Sequence, residues 1–202
     1  RTKLNKKKSV NIRTMTITAM LSAIGFILMF FEFSVPFMPP FIKLDISELP
    51  ALIGAFSLGP VSGAAICLIK NVLHLFTTNS GGVGELSNFL LGLCFVIPAG
   101  LLYKRKKSRK NALMGSVIGA VFMGLMSVPL NYFVVYPVYT KFMPIEAILN
   151  AYQLILPSTN SLLSALLIFN LPFTLLKGLI NVGITFVIYK HISPLIHGNQ
   201  HR

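Results

Sequence analysis

The fold is decided by Phe30-Phe31-Glu32-Phe33-Ser34-Val35-Pro36-Phe37-Met38-Pro39-Pro40-Phe41-Ile42-Lys43-Leu44-Asp45-Ile46-Ser47-Glu48-Leu49-Pro50, followed by the apolar run Ala51 to Leu58 and by Gly59-Pro60. Pro36, Pro39 and Pro40 forbid a helix over the first half, since each lacks an N–H and Pro40 pushes Pro39 out of the α region. Five phenylalanines between Phe30 and Phe41 make the segment too apolar for a solvated linker. Irregular backbone this greasy must be covered by protein or laid over a cavity. It also carries Glu32, Asp45 and Glu48, three of only 5 acidic residues in the chain. Two readings stand side by side: a lid over a ligand, or a membrane-dipping loop with a helix cap at Asp45.

Working outward, the 202 residues are 54% hydrophobic and 11% charged, with mean hydropathy +0.74. So much apolar surface in a chain of this size means that the solvent is lipid. A net charge of +13 would suggest nucleic acid if it were spread over a soluble fold. It is clustered instead: of 18 Lys and Arg, six lie in Arg1–Arg13 and six in Lys104–Lys110, with Lys190 and Arg202 at the far end. Charge beside apolar spans marks the cytoplasmic side and attraction to anionic lipid, so no nucleic-acid partner is expected. Cys67 and Cys94 sit in apolar runs and read as core residues, while His197 and His201 end a polar tail; no metal site is implied. The first apolar run is about one bilayer long and lacks a small-residue cleavage site after it, which argues against a cleavable signal peptide.

The pattern predicts one all-α integral membrane domain over 1–202 with six transmembrane helices, at about 15–31, 49–58, 61–78, 85–103, 112–136 and 161–189. The 32–48 loop then lies outside, and the N- and C-termini are cytoplasmic with the Lys104–Lys110 turn. Fourteen of the 18 cations fit that arrangement. The connection 137–159 has room for an interfacial helix. The second run is too short to cross a core of about 30 Å at roughly 1.5 Å per residue. A truncated crossing frees space for the loop to fold into, leaving an outward cavity roofed by aromatics.

Polar residues inside spans are the functional suspects. Lys70, Asn71 and His74 are grouped in the third; Glu85 and Asn88 head the fourth; Asn131, Tyr132 and Tyr136 end the fifth. Asn170, Thr174, Lys177 and Asn181 form one polar stripe on the sixth. Plainer roles compete: interhelical hydrogen bonding for Asn and Thr, an interfacial belt for the tyrosines, and an ion pair for Lys70 or His74. Glu85 has the position of a helix N-terminal charge, and Asp45 with Glu48 has the spacing of a capping box. Ala19 and Ala23 on the first span, like Gly115 and Gly119 on the fifth, permit close helix approach, within this chain or to another. No nucleotide-binding GxxxxGK[ST], paired intramembrane carboxylates or G-x-S-x-G occurs, so no nucleotide-driven motor, metal-assisted transfer to lipid or serine-nucleophile elbow is indicated.

The basic N-terminus, Ala19-xxx-Ala23, the Pro/Phe-rich loop, Lys43-Leu44-Asp45-Ile46-Ser47-Glu48-Leu49-Pro50 and Gly54-Ala55-Phe56-x-x-Gly59-Pro60-x-x-Gly63 together resemble the riboflavin-specific substrate-binding (S) components of bacterial energy-coupling factor transporters. The resemblance runs over essentially the whole chain. It implies a multi-pass subunit in the bacterial cell membrane that captures riboflavin from outside, as transported ligand and not as cofactor. The implied partners are a transmembrane coupling subunit and two cytoplasmic ATPases within membrane lipid. It places the ligand under the loop and against the fourth to sixth helices. The expected contacts are Phe41, Lys43, Leu44, Asp45, Glu48, Asn79, Gly84, Asn131, Tyr132, Tyr136, Lys177 and Asn181, with Ala19 and Ala23 docking the coupling subunit. An S component for another vitamin, an intramembrane enzyme using His74 and Glu85, and a packing scaffold are the rival readings.

Overall fold

The computed structural model describes residues 11–197. The basic residues 1–10 and the tail with His201 and Arg202 lie outside the described residues. Helix α1 (Ile12–Met29) starts at Asn11, whose side chain accepts the Arg13 N–H. The proline-rich strap follows. It doubles back on itself through a two-residue antiparallel ladder, β1 (Phe33–Ser34) against β2 (Lys43–Leu44), with Phe33 opposite Leu44. The Glu32–Lys43 ion pair staples the same base.

Helix α2 (Glu48–Ser57) has 10 residues, about 15 Å of rise, too short to cross a bilayer core of about 30 Å alone. It ends at Gly59, whose φ of 108° suits glycine alone, and Pro60 then opens α3 (Pro60–His74). A tight turn at Leu75–Thr77 and the left-handed Gly81 and Gly82 lead into α4 (Val83–Arg105). Ser108 caps α5 (Arg109–Leu130) by accepting from Asn111 N–H at 3.2 Å. After α5 come a π-helical turn (Asn131–Val135), α6 (Tyr136–Tyr139) and the short helix α7 (Ile145–Gln153). Then α8 (Leu162–Ala165), a second π-helical turn (Leu166–Asn170) and α9 (Leu171–His197) form one continuous rod.

The chain is therefore mostly helical, and among the described residues 5 helices are long and apolar enough to cross a membrane: Ile12–Met29, Pro60–Thr77, Val83–Arg105, Arg109–Tyr139 and Leu162–Ile188. Several boundaries move by a few residues from expectation, the first helix running Ile12–Met29 and the fourth span Val83–Arg105. The fifth span runs past Pro137 to Tyr139, and the sixth starts at Leu162, behind the Ser161 capping box. Both π-helical turns sit two residues ahead of a proline, Pro137 or Pro172. A proline ring clashes with the carbonyl four residues back, here Phe133 and Ile168, and the wider turn relieves that clash without breaking the helix.

One core cluster packs α2, α3, α4 and α5 around Leu52, Ile66, Phe95 and Tyr103; a second gathers Tyr136, Ile148, Tyr152, Leu166 and Phe169. Gly115 and Gly119 act within the chain: a Cβ at Gly119 would meet the Phe95 carbonyl oxygen at 2.4 Å, and one at Gly115 the Ala99 oxygen at 2.9 Å. The strap departs from expectation in one respect. Phe30, Phe31, Phe33 and Phe37 are exposed and only Phe41 turns inward to line the cavity. Gly119→Leu is expected to force α4 and α5 apart, at about 1–3 kcal/mol or more, read as a lowered thermal midpoint in detergent; an unchanged midpoint would show that this contact is slack.

Candidate functional site

Above α2 the strap and the upper turns of α3, α4, the fifth span and α9 enclose a cavity of about 440 Å³. Nine of the twelve residues expected at a ligand site line it: Phe41, Lys43, Asp45, Glu48, Asn79, Gly84, Asn131, Tyr136 and Lys177. The other three lie off its wall. Leu44 pairs across the strap ladder, and Tyr132 sits edge-on to Phe133 on the outer surface, as an interfacial aromatic would. Asn181 is one turn along α9 from Lys177 and donates to its backbone carbonyl at 2.9 Å.

Charge organises the site. Lys177 Nζ donates to Asp45 Oδ2 at 2.7 Å and to Asn88 Oδ1 at 2.8 Å, which clasps the strap to α9 across 132 residues of sequence. Asp45 Oδ1 accepts both the backbone N–H and the hydroxyl of Ser47. Lys70 Nζ donates to Ser47 Oγ at 2.6 Å and to Glu48 Oε1 at 2.7 Å, with both ions of that pair essentially inaccessible (side chains 0% and 1% exposed). The capping box expected at Asp45 and Glu48 is thus absent. Ser47 holds the N-cap position without a side-chain cap bond, because both carboxylates are drawn to buried lysines. Burial opposes ionisation of Asp45, but the Lys177 and Lys70 ammoniums outweigh it and hold the carboxyl far below its usual value. A depressed folded-state value contributes stability above the unfolded value of about 3.9 and loses it only as pH falls towards the folded one, so the clasp stays closed at neutral pH.

At the other wall Glu85 accepts from His74 Nδ1 at 2.7 Å, Thr78 Oγ1 at 2.9 Å and Ser80 Oγ at 3.0 Å. It ties the α3–α4 turn together, and His74 is wedged between it and the Phe30 ring, 5.5 Å away. The sequence reading left Asn88, Asn170 and Thr174 outside the ligand set, yet all three line the cavity. The missed signal was the pair of prolines: each π-helical turn begins or ends at a cavity asparagine, Asn131 or Asn170.

Three carboxamides share one design. Asn88 oxygen accepts from Lys177, Asn131 oxygen from Ser87 at 3.2 Å, and Asn170 oxygen from Tyr152 at 2.8 Å. An ammonium only donates, so Asn88 must turn its oxygen to Lys177. With their oxygens engaged, the amide N–H groups are left to serve a guest. Apolar walls from Met29, Phe41, Leu91, Met123 and Val135 complete a chamber that offers both apolar surface and polar groups to a small molecule. Among the described residues, no three His, Cys, Asp or Glu side chains are grouped to hold a metal ion.

Residues 13–189 match the family model described as "ECF transporter, substrate-specific component". The chain belongs to that family. Its curated relatives include the riboflavin transporter RibU of Staphylococcus aureus (strain TCH60), 35% identical over 97% of both chains. The riboflavin transporter FmnP of Bacillus subtilis (strain 168) is 30% identical over 93% of this chain and 95% of that one. Among solved structures, the S component of a bacterial ECF transporter superposes with a TM-score of 0.72 at 31% identity, covering 91% of this chain and 96% of the other.

Removing one partner of the buried pair strands the other charge. Lys70→Met in this S component should cost about 3–5 kcal/mol, and the Lys70→Met/Glu48→Gln double variant should recover part of it. Thermal melts in detergent compare them; a double variant no more stable than the single would refute the pairing.

Proposed function

We propose that this chain is the riboflavin-capturing subunit of an ATP-driven uptake transporter in the bacterial cell membrane, a transport component and not an enzyme. The observation that carries this reading is the strap-covered cavity: a truncated crossing beneath it, amide donors on its walls, and the Lys177–Asp45 clasp over it. Riboflavin has a flat three-ring body for the apolar walls, carbonyl and imide groups for the amides, and a hydroxylated arm for the charged residues. The names of the full-length relatives support the same ligand.

In this reading α2 counts as a sixth, partial crossing. Six crossings put both termini on one side with the basic Lys104–Lys110 turn, and the positive-inside rule makes that side cytoplasmic. The cavity then opens outward. Energy comes from a separate transmembrane coupling subunit and two cytoplasmic ATPases. Ala19 and Ala23 fall on the exposed face of α1, beside Met15, Met20 and Ile27, while Ser22 and Gly25 on the opposite face pack inward. A row of small residues on an outer face suits close approach of another membrane helix.

Protein purified in mild detergent after growth with riboflavin should be yellow, with flavin near one equivalent per chain; colourless protein that fails to quench added riboflavin fluorescence removes the reading. Lys177→Ala and Asn131→Ala should each weaken binding by about ten-fold or more, the scale of a lost charged or neutral hydrogen bond. If both leave affinity intact, the cavity is not the riboflavin site. Ala19→Trp and Ala23→Trp should preserve binding and stop cellular uptake; lost binding would place those alanines in internal packing.

A further inference from the structure

Tyr152 stands apart from the cavity wall, on α7, and is completely buried. Its hydroxyl nonetheless joins two residues that do line the cavity. It donates to Asn170 Oδ1 at 2.8 Å and shares a hydrogen bond with the Tyr136 hydroxyl. Its ring packs against Phe41 of the strap at 5.8 Å and against Phe169 at 5.2 Å. One phenol from a short peripheral helix thereby touches the strap, the fifth span and the sixth.

We propose that Tyr152 is a positioning residue for ligand capture: its hydroxyl sets the direction of the Tyr136–Tyr152–Asn170 hydrogen bonds, so that Asn170 presents its amide N–H and Tyr136 its phenol oxygen to the guest. A carboxamide oxygen accepts and never donates. The Tyr152 proton is therefore committed to Asn170, and Tyr136 must donate its own proton to Tyr152. The Asn170 side chain also reaches the Tyr136 phenol, and the remaining Asn170 N–H and Tyr136 lone pair are left for the cavity. A donor beside an acceptor complements a ligand edge that offers a carbonyl next to an N–H, the pattern of an imide. Without the Tyr152 hydroxyl only the direct Asn170–Tyr136 contact is left to hold that polarity, and the Asn170 amide can turn over and Tyr136 rotate its proton into the cavity. α7 thus serves recognition without touching the ligand.

This inference rests on the riboflavin reading above, and the test separates the two. Riboflavin fluorescence quenching is titrated on the full chain in detergent for the unmodified protein, Tyr152→Phe, Asn170→Ala, Asn170→Asp and the Tyr152→Phe/Asn170→Ala double variant, with a thermal melt of each. Tyr152→Phe keeps the ring contacts and should weaken affinity by about ten-fold, the scale of one hydrogen bond, at a nearly unchanged melting midpoint. Asn170→Asp keeps an oxygen for Tyr152 but has no N–H, and should lose at least as much. The double variant should bind no more weakly than Asn170→Ala alone, since one removes what the other orients. Overturning results are Tyr152→Phe or Asn170→Asp binding as tightly as the unmodified protein, or losses that multiply in the double variant. An affinity loss in Tyr152→Phe that only follows a falling midpoint also overturns it, as a purely structural role. Unmodified protein that fails to quench removes the riboflavin reading itself, and this inference with it.

Discussion

A charge buried within a protein that sits in lipid must be neutralised where it stands, and that constraint shapes this molecule more than any other. Lys70 and Glu48 have no water to turn to, and they hold each other at 2.7 Å. Ser47 hydrogen-bonds Lys70 on one side and Asp45 on the other, and Asp45 continues the chain of contacts to Lys177 and Asn88. Five pieces of backbone are pinned by these contacts: the end of the strap, α2, α3, α4 and α9. The strap's prolines and its small ladder give it stiffness, but the ion pairs give it an address.

The second constraint is that helices must come close enough to leave a hole in the right place. Glycines between α4 and α5 bring those rods into backbone contact with the deep core, and Gly63 does the same for α3 against α2, where an added Cβ would lie 2.7 Å from that of Ala55. α2 stops after 10 residues. Tight packing below and a missing half-crossing above leave the cavity between rigid walls, with the strap as its separately anchored cover.

Much of this could be read in the residues. Hydropathy located the long apolar helices, and the run Leu49 to Leu58 was visibly too short for the bilayer. Lys177 and Asp45 stood out because lone charges in apolar surroundings need a reason. Three things were hidden. The partner of each charge was not legible, since Lys177 and Asp45 are 132 residues apart and only packing joins them. The outward turn of the strap phenylalanines was hidden too, because apolarity does not distinguish a ring facing lipid from one facing a cavity. The role of α7 lay in a hydroxyl contact between distant segments, and neither periodicity nor composition records that. Asn181 shares the polar stripe, but one further turn along α9 from Lys177 it is absent from the cavity lining.

The paired π-helical turns have a bearing on how such a protein can change over time. Each holds one residue more than an ordinary turn, so everything beyond it is rotated by about 100° relative to an uninterrupted rod. Tyr136, just past the first turn, and Asn170, at the end of the second, owe their facing directions relative to the preceding helix to that offset. Deleting a single residue in either turn would shift the phase, swinging a lipid-facing side chain into the chamber and a cavity residue towards the acyl chains. Loops here can drift in length, whereas these two rods tolerate substitution far more readily than insertion or deletion.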